Sequence, residues 1–235
     1  MMRALDVLSS LAASTARAGL GMEVGRLGSR PARTLELYDF EGCPYCRKVR
    51  EALSILDLDA IVYPCPKGGV VHRRAVERRG GKQQFPYLVD PNAGVEFYES
   101  DAIVRHLFDR YGDGRIPFAL SLGILGDGGS MLASALRLGA GVRAHPARQP
   151  ERLLEVYSFE ASPFCRLVRE TLTRLELPYL LHNVAKGSPK REAFVRLSGK
   201  MMVPYLVDPN TGVAMFESAE IVAYLERTYG TGERD

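Results

Sequence analysis

No apolar run in the 235 residues is long enough to cross a bilayer, so the sequence predicts no membrane span. Cysteine is scarce. Four in the whole chain are too few for a secreted disulfide scaffold and fit a reducing compartment, so a cytoplasmic location is expected. Histidine is as sparse, and no paired Cys/His spacing supplies the four ligands of a structural zinc site, so no metal is expected. Charge of one sign is also missing. Thirty-one Lys and Arg against 28 Asp and Glu leave +3, too little to argue for nucleic acid. The basic cluster His72-Arg73-Arg74 with Arg78, Arg79 and Lys82 reads as a solvated helix face. What is present, 46 % apolar and 25 % charged residues, is ordinary globular composition with room for one large domain or two small ones.

Acids are nearly absent from residues 1–33, where Asp6 and Glu23 stand alone among Ala, Arg, Ser and Gly. Such a composition can pass for a transit peptide. The chain's internal repetition argues against it. Leu35-Glu36-Leu37-Tyr38-Asp39-Phe40-Glu41 returns as Leu154-Glu155-Val156-Tyr157-Ser158-Phe159-Glu160. Phe85 to Gly94 returns as Val203 to Gly212, identical at eight of ten positions. Glu99-Ser100 returns as Glu217-Ser218, and Arg110-Tyr111-Gly112 is echoed by Arg227 to Gly230. The offset is 119 at the first stretch and 118 after it, one residue being lost near 70–80. Upstream, Leu11-Ala12-Ala13-Ser14 resembles Leu132-Ala133-Ser134, while Pro31 and Arg33 match Pro150 and Arg152. A targeting segment has no reason to reappear in mid-chain. The division expected is an N-terminal helix and connector over 1–33, a first copy over 34–112, a linker with a helix over 113–152, and a second copy over 153–235.

Each copy reads strand, helix, strand, helix, strand, strand, helix. In the first, Leu35 to Phe40 is a strand. Pro44 to Leu56 is a helix, with Val49, Leu53 and Leu56 at helical spacing. Ala60 to Tyr63 is the second strand and Val71 to Arg79 a short helix. Tyr87 to Val89, the turn Asp90 to Gly94, and Val95 to Tyr98 form a hairpin. Ser100 is expected to cap a last helix reaching Tyr111. A βαβ unit followed by a ββα unit implies an α/β fold, with a mixed four-stranded sheet flanked by helices on both faces in each copy.

The chemistry is concentrated in Glu41-Gly42-Cys43-Pro44-Tyr45-Cys46. A C-x-x-C between a strand exit and a helix entry reads first as a redox dithiol. Cys43 falls just before the first helical turn, where unpaired backbone N–H groups and the helix dipole favour a thiolate. Pro44 suits the first helical position, which needs no N–H. Cys46, one turn on, is placed to attack a mixed disulfide formed by Cys43. A zinc half-site and two unconnected core thiols are the remaining readings of the same spacing.

Strand, C-P-Y-C, helix, an apolar-Pro-apolar step and Glu-Ser opening a helix together resemble the thioredoxin fold, in its glutaredoxin form and equally in the N-terminal domain of glutathione transferases. The resemblance covers about 35–112 and again about 154–230. It implies two tandem thioredoxin-like domains and glutathione as co-substrate, with disulfides or mixed disulfides as substrates. Cys43 would be the nucleophile and Cys46 the resolving thiol, with Tyr45 flanking the thiolate. Pro86 and Pro204 would be cis, turning the backbone of Phe85 and Val203 towards the thiol so that the cysteinyl part of glutathione can pair with it. Glu99 and Ser100 would meet the γ-glutamyl end, and Lys82, repeated as Lys200, the glycine carboxylate.

The second copy departs from the pattern, with Ser162-Pro163-Phe164-Cys165 in place of the dithiol. That start looks more like a transferase, and Ser162, Cys165, Lys200, Val203, Pro204, Glu217 and Ser218 would make a second glutathione site. Cys165 is expected half-buried and unreactive; Cys65, matched by Val184, is expected to serve packing. Transferases usually follow this domain with a larger helical one that walls the electrophile pocket. Here the second copy ends at Tyr229, so that pocket is expected to be missing. Thiol–disulfide exchange is therefore the leading function. Conjugation and a non-enzymatic glutathione- or partner-binding pseudo-dimer are alternatives, and a cluster bridged through Cys43 is disfavoured by Pro44. Either a monomeric pseudo-dimer or a homodimer is expected.

Overall fold

A computed structural model describes residues 20–121 and 141–232. The helices expected near Leu11 and Leu132 lie outside the described residues. In the first copy, strands β1 (Leu35–Asp39), β2 (Ala60–Pro64), β3 (Tyr87–Asp90) and β4 (Val95–Phe97) alternate with helices α1 (Pro44–Ile55), α2 (Arg73–Gly80) and α3 (Ser100–Tyr111). A single turn, α4 (Phe118–Ser121), follows. The second copy repeats the order as β5 (Leu154–Ser158), α5 (Pro163–Arg174), β6 (Tyr179–Asn183), α6 (Arg191–Ser198), β7 (Tyr205–Asp208), β8 (Val213–Phe216) and α7 (Ser218–Tyr229). No helix among the described residues is long and apolar enough to cross a membrane.

The two mixed four-stranded sheets are halves of one. The strands run in the order β4-β3-β1-β2-β6-β5-β7-β8. In each half the first two strands are parallel and the hairpin is antiparallel. The halves meet where β2 pairs antiparallel with β6, Ile61 opposite Leu180. Those two residues occupy the same place in the repeat, 119 apart, so a pseudo-two-fold axis passes between them. Pairing β2 with β6 covers an edge that each copy alone would leave open to aggregation.

Strand alternation splits the buried residues of each copy between two faces. Leu35, Leu37 and Leu88 point to one face and pack under Val49 and Leu53 of α1, Leu56 at its C-cap, and Ile103 and Leu107 of α3. Tyr38, Tyr87 and Val89 point to the other, under Val76 of α2. The second copy repeats both clusters, the first around Val168, Leu172, Ile221 and Leu225 and the second around Phe194 and Tyr205. Val62 of β2 is buried in the second copy's cluster, so the cores are continuous across the axis.

Two local readings are corrected. The short helix begins at Arg73 and not Val71, because the Glu176 carboxylate of the second copy accepts the N–H groups of Val70 (3.0 Å) and Val71 (3.1 Å) and holds them in a loop. Ser100 does not cap α3. It is the helix's first residue, and the capping position belongs to Glu99, whose φ of 65° is non-helical and whose side chain makes no capping bond.

Candidate active site at the helix start

Asp39 ends β1, and Phe40 to Gly42 turn the chain so that the Cys43 N–H donates to Phe40 O at 3.1 Å. Cys43 then sits at the N-cap of α1 with extended backbone (φ −85°, ψ 122°), and Pro44 opens the helix. Its Sγ accepts the backbone N–H of Cys46 at 3.3 Å. That contact leaves no need for a Ser or Asp cap, and it favours the anionic sulfur. The Cys43 pKa is lowered, first by hydrogen bonding from the Cys46 side chain; burial opposes this, and the Cys46 N–H and the Arg50 charge add to it. Cys46 moves the other way, pushed well up by burial and by its neighbouring sulfur. Cys43 keeps 5 % of its surface exposed and Cys46 none. Both are free thiols. The pair thus differs in access and acidity in the sense that a nucleophile and a resolving thiol require.

Ser162 occupies the same place in the second copy. It is the N-cap of α5 (φ −71°, ψ 119°), and its Oγ accepts the Cys165 N–H at 3.2 Å. Cys165 is wholly buried, not half-buried as expected, because it lies one turn inside the helix against the sheet. Cys65 is also fully buried, and burial raises its pKa well above the usual value. Tyr45 and Phe164, which follow the two prolines, stay exposed beside the two helix starts at 45 % and 46 %.

The Phe85–Pro86 and Val203–Pro204 bonds are both cis. Phe85 meets Phe40 edge-on at 6.3 Å and lies under the Arg73 guanidinium, so the entrance of β3 adjoins the turn that carries Cys43. Glu99 and Glu217 share a left-handed backbone (φ 65° and 69°) that ordinary residues adopt only under constraint. Gln84 donates its side-chain amide to the Glu99 carboxylate, and Ser100 and Ser218 are buried behind. Lys82 folds its ammonium over the Tyr98 ring at 4.6 Å, and Lys200 does the same over Phe216 at 4.4 Å.

One buried cluster beneath the site escaped the sequence reading. Arg50 of α1 reaches Asp39 and the carbonyl of Glu41 in its own copy and the Glu160 carboxylate in the other. Arg169 of α5 reciprocates, binding the Glu41 carboxylate and the Ser158 hydroxyl. Arg47 and Arg166 approach Glu160 and Glu41 at 3.9 and 3.5 Å. Burial alone would raise Glu41, but Arg169, Arg50 and Arg166 hold it at about 2. Asp39, which burial raises, has only Ser158 as its counterpart. A signal was available: Cys46-Arg47-Lys48-Val49-Arg50-Glu51 is repeated as Cys165-Arg166-Leu167-Val168-Arg169-Glu170, with every charge but one retained.

The family model for the glutathione S-transferase N-terminal domain matches this chain twice, over residues 37–115 and 156–233. Two solved structures are similar. A Bombyx mori glutathione transferase, BmGSTD1, is 25 % identical, with 36 % of this chain and 38 % of that one covered and a TM-score of 0.32. This chain thus spans well under half of that protein. Leishmania TDR1, described as a unique trimeric glutathione transferase, is 13 % identical, with 86 % of this chain and 68 % of that one covered and a TM-score of 0.30. No curated protein matches.

Proposed function

The chain belongs to the glutathione S-transferase N-terminal domain family, and from that premise we propose that it is a glutathione-dependent thiol–disulfide oxidoreductase, with residues 34–112 as the active half and 153–235 as a degenerate one. The observation that carries this reading is the Cys43 sulfur at a helix N-cap, accepting the Cys46 N–H, with its pKa lowered.

The Cys43 thiolate attacks a mixed disulfide of glutathione. A Cys43–glutathione disulfide forms, and the substrate's other half leaves as a thiolate. A second glutathione thiolate then attacks, releasing oxidised glutathione and restoring Cys43. Alternatively Cys46 loses its proton and attacks Cys43, forming an internal disulfide and expelling glutathione. Glutathione lies along the backbone of Phe85 before Pro86, its γ-glutamyl end at Glu99 and Ser100, its glycine end towards Lys82, and Tyr45 flanks the sulfur. The reaction suits a reducing, glutathione-supplied compartment such as the cytoplasm.

Glutathione transfer at the second copy is the other reading. It is favoured by Ser162 Oγ standing at its helix start as Cys43 Sγ does; Val203, Pro204, Glu217, Ser218 and Lys200 would complete its glutathione site. The test is reduction of the mixed disulfide of glutathione and hydroxyethanethiol. Cys43→Ser should abolish it and Cys165→Ser should not. Conjugation of a chloronitrobenzene that survives Cys43→Ser would favour the second reading instead.

A further inference from the structure

Residues 142–144, which lead into the second copy, run along the loop after β2 of the first. Lys67 donates its N–H to Val142 O at 2.6 Å, and Ala144 donates to Lys67 O at 3.0 Å, making Lys67 and Arg143 a parallel bridged pair. Just before them, Gly141 O accepts the N–H of Gly42 at 3.4 Å, and Gly42 precedes Cys43. Gly141 has φ +68°, and a Cβ there would stand 3.0 Å from the Glu41 Cβ, so only glycine fits this approach without strain. Arg143 is therefore two residues, about 7 Å of extended chain, from backbone that touches the Cys43 turn.

The second copy has the same construction with different charge. Residues 22–24 run along its corresponding loop, with Val24 donating to Lys186 O at 2.8 Å and Lys186 to Met22 O at 2.9 Å. Glu23 is bridged with Lys186, and the Lys186 Nζ lies 2.6 Å from Glu23 Oε1. Side chains of such a pair thus project to one side and meet. Beside Cys43 the acid of the pair is an arginine. Lys67 and Arg143 are both exposed, and neither has an anionic partner among the described residues. Glu176, held against the same loop, has its carboxylate oxygens on the N–H groups of Val70 and Val71. Two cations are left adjacent, Arg143 two residues from the Gly141 that meets Gly42, where the second copy has a neutralised pair.

We infer that Lys67 and Arg143 form an anion-binding site at the mouth of the Cys43 site, taking a carboxylate of the disulfide substrate. The inference rests on Cys43 being the nucleophile. The carboxylate belongs either to the substrate half that leaves or to glutathione itself, and substrates of different charge separate the two.

The charge-swapping variant Arg143→Glu rebuilds the ion pair of the other copy and should fold. The first measurement needs no turnover: the rate of Cys43 alkylation by anionic iodoacetate relative to neutral iodoacetamide. The ratio should fall several-fold in Arg143→Glu and in Lys67→Ala, and the difference should shrink as salt is raised. An unchanged ratio overturns the site. If Cys43 reacts with neither reagent, the nucleophile assignment fails, and the site falls with it. The second measurement compares glutathione mixed disulfides of hydroxyethanethiol and of mercaptosuccinate. A raised KM for the mercaptosuccinate disulfide alone places the bound carboxylate on the departing half. A rise for both, with a higher KM for glutathione, places it on glutathione. No change in any KM overturns the proposal. Absence of turnover in the unmodified protein, with the alkylation ratio still sensitive to Arg143, would sink the proposed reaction and leave the anion site standing.

Discussion

Arg50 of the first copy places its Nε 3.0 Å from Oε2 of Glu160 in the second. The relation is reciprocal, since Arg169 Nε lies 3.0 Å from Glu41 Oε2. All four side chains are almost wholly buried. Each glutamate stands two residues before a helix N-cap, at Cys43 in one copy and Ser162 in the other. The turn that presents Cys43 is therefore held by arginines on both sides of the pseudo-two-fold axis. A copy that has lost its thiol pair still has a structural duty to the one that keeps it.

Glu160→Gln should accordingly destabilise the whole chain. Removing one partner leaves Arg50 and Arg169 with less compensation in a dry interior, which costs about 3–5 kcal/mol. The chain has no tryptophan, so urea unfolding is best followed by far-UV circular dichroism. A change below about 1 kcal/mol would mean that water reaches the cluster and screens it. Because the Arg50 charge lowers Cys43 and loses an offsetting carboxylate in this variant, alkylation of the variant's thiol should shift to lower pH.

The acid limb of stability should be steep and traceable to Glu41. Its pKa is about 2 in the folded chain against an ordinary value of 4.5. A depressed carboxyl contributes stability that is fully present above the unfolded pKa and is lost as pH falls through the folded one. The window is therefore about pH 4.5 down to 2. Asp39, raised by burial, works in the opposite sense. Glu41→Gln should lower stability at pH 7 and flatten the curve between those values. Equal acid slopes in both proteins would show that Glu41 titrates normally.

Most of the fold was legible because duplication let one copy check the other. The ten-residue return of Phe85 to Gly94 fixed the hairpin twice, and its Asp explains why it is repeated: Asp90 accepts from Tyr111 and Asn92, as Asp208 does from Tyr224, Tyr229 and Asn210. The Cys43 turn was legible from strand, Cys-Pro and helix in sequence. The joining of the halves was not, because β2 and β6 read as strands whether or not their outer edges are paired. Nor was the charge cluster. Arg47 and Arg50 look like a solvated helix face until Glu160 of the second copy is placed against them.

The thiols should separate cleanly by reactivity. Native protein treated with iodoacetamide is expected to label Cys43 first, with a midpoint below the free-thiol value of about 8.5. Cys46 and Cys65 are both fully buried with raised pKa values and should label only on unfolding. Mass spectrometry of peptides after a short pulse reads this directly. First labelling at Cys65 would contradict the packing described for it, and a Cys43 midpoint at or above the free-thiol value would remove the acidity on which the proposed chemistry depends.

The source of that acidity can be isolated by making the second copy carry the same atom. Ser162 has nearly the backbone of Cys43, and its Oγ receives the Cys165 N–H at 3.2 Å where Sγ receives the Cys46 N–H at 3.3 Å. Ser162→Cys therefore offers a sulfur the same helix start. Of the acids around the two buried arginines one differs, Asp39 of the first copy being Ser158 in the second, while Arg50 and Arg169 are equivalent. If the N-cap backbone and the buried arginine set the acidity, the new thiol should titrate at least as low as Cys43, since the nearby carboxylate is missing. In a Cys43→Ser background, pH-dependent alkylation of the introduced cysteine measures this without interference. A midpoint at the ordinary thiol value would show that helix position is insufficient, and that the difference between the copies lies in the side chains around Cys43.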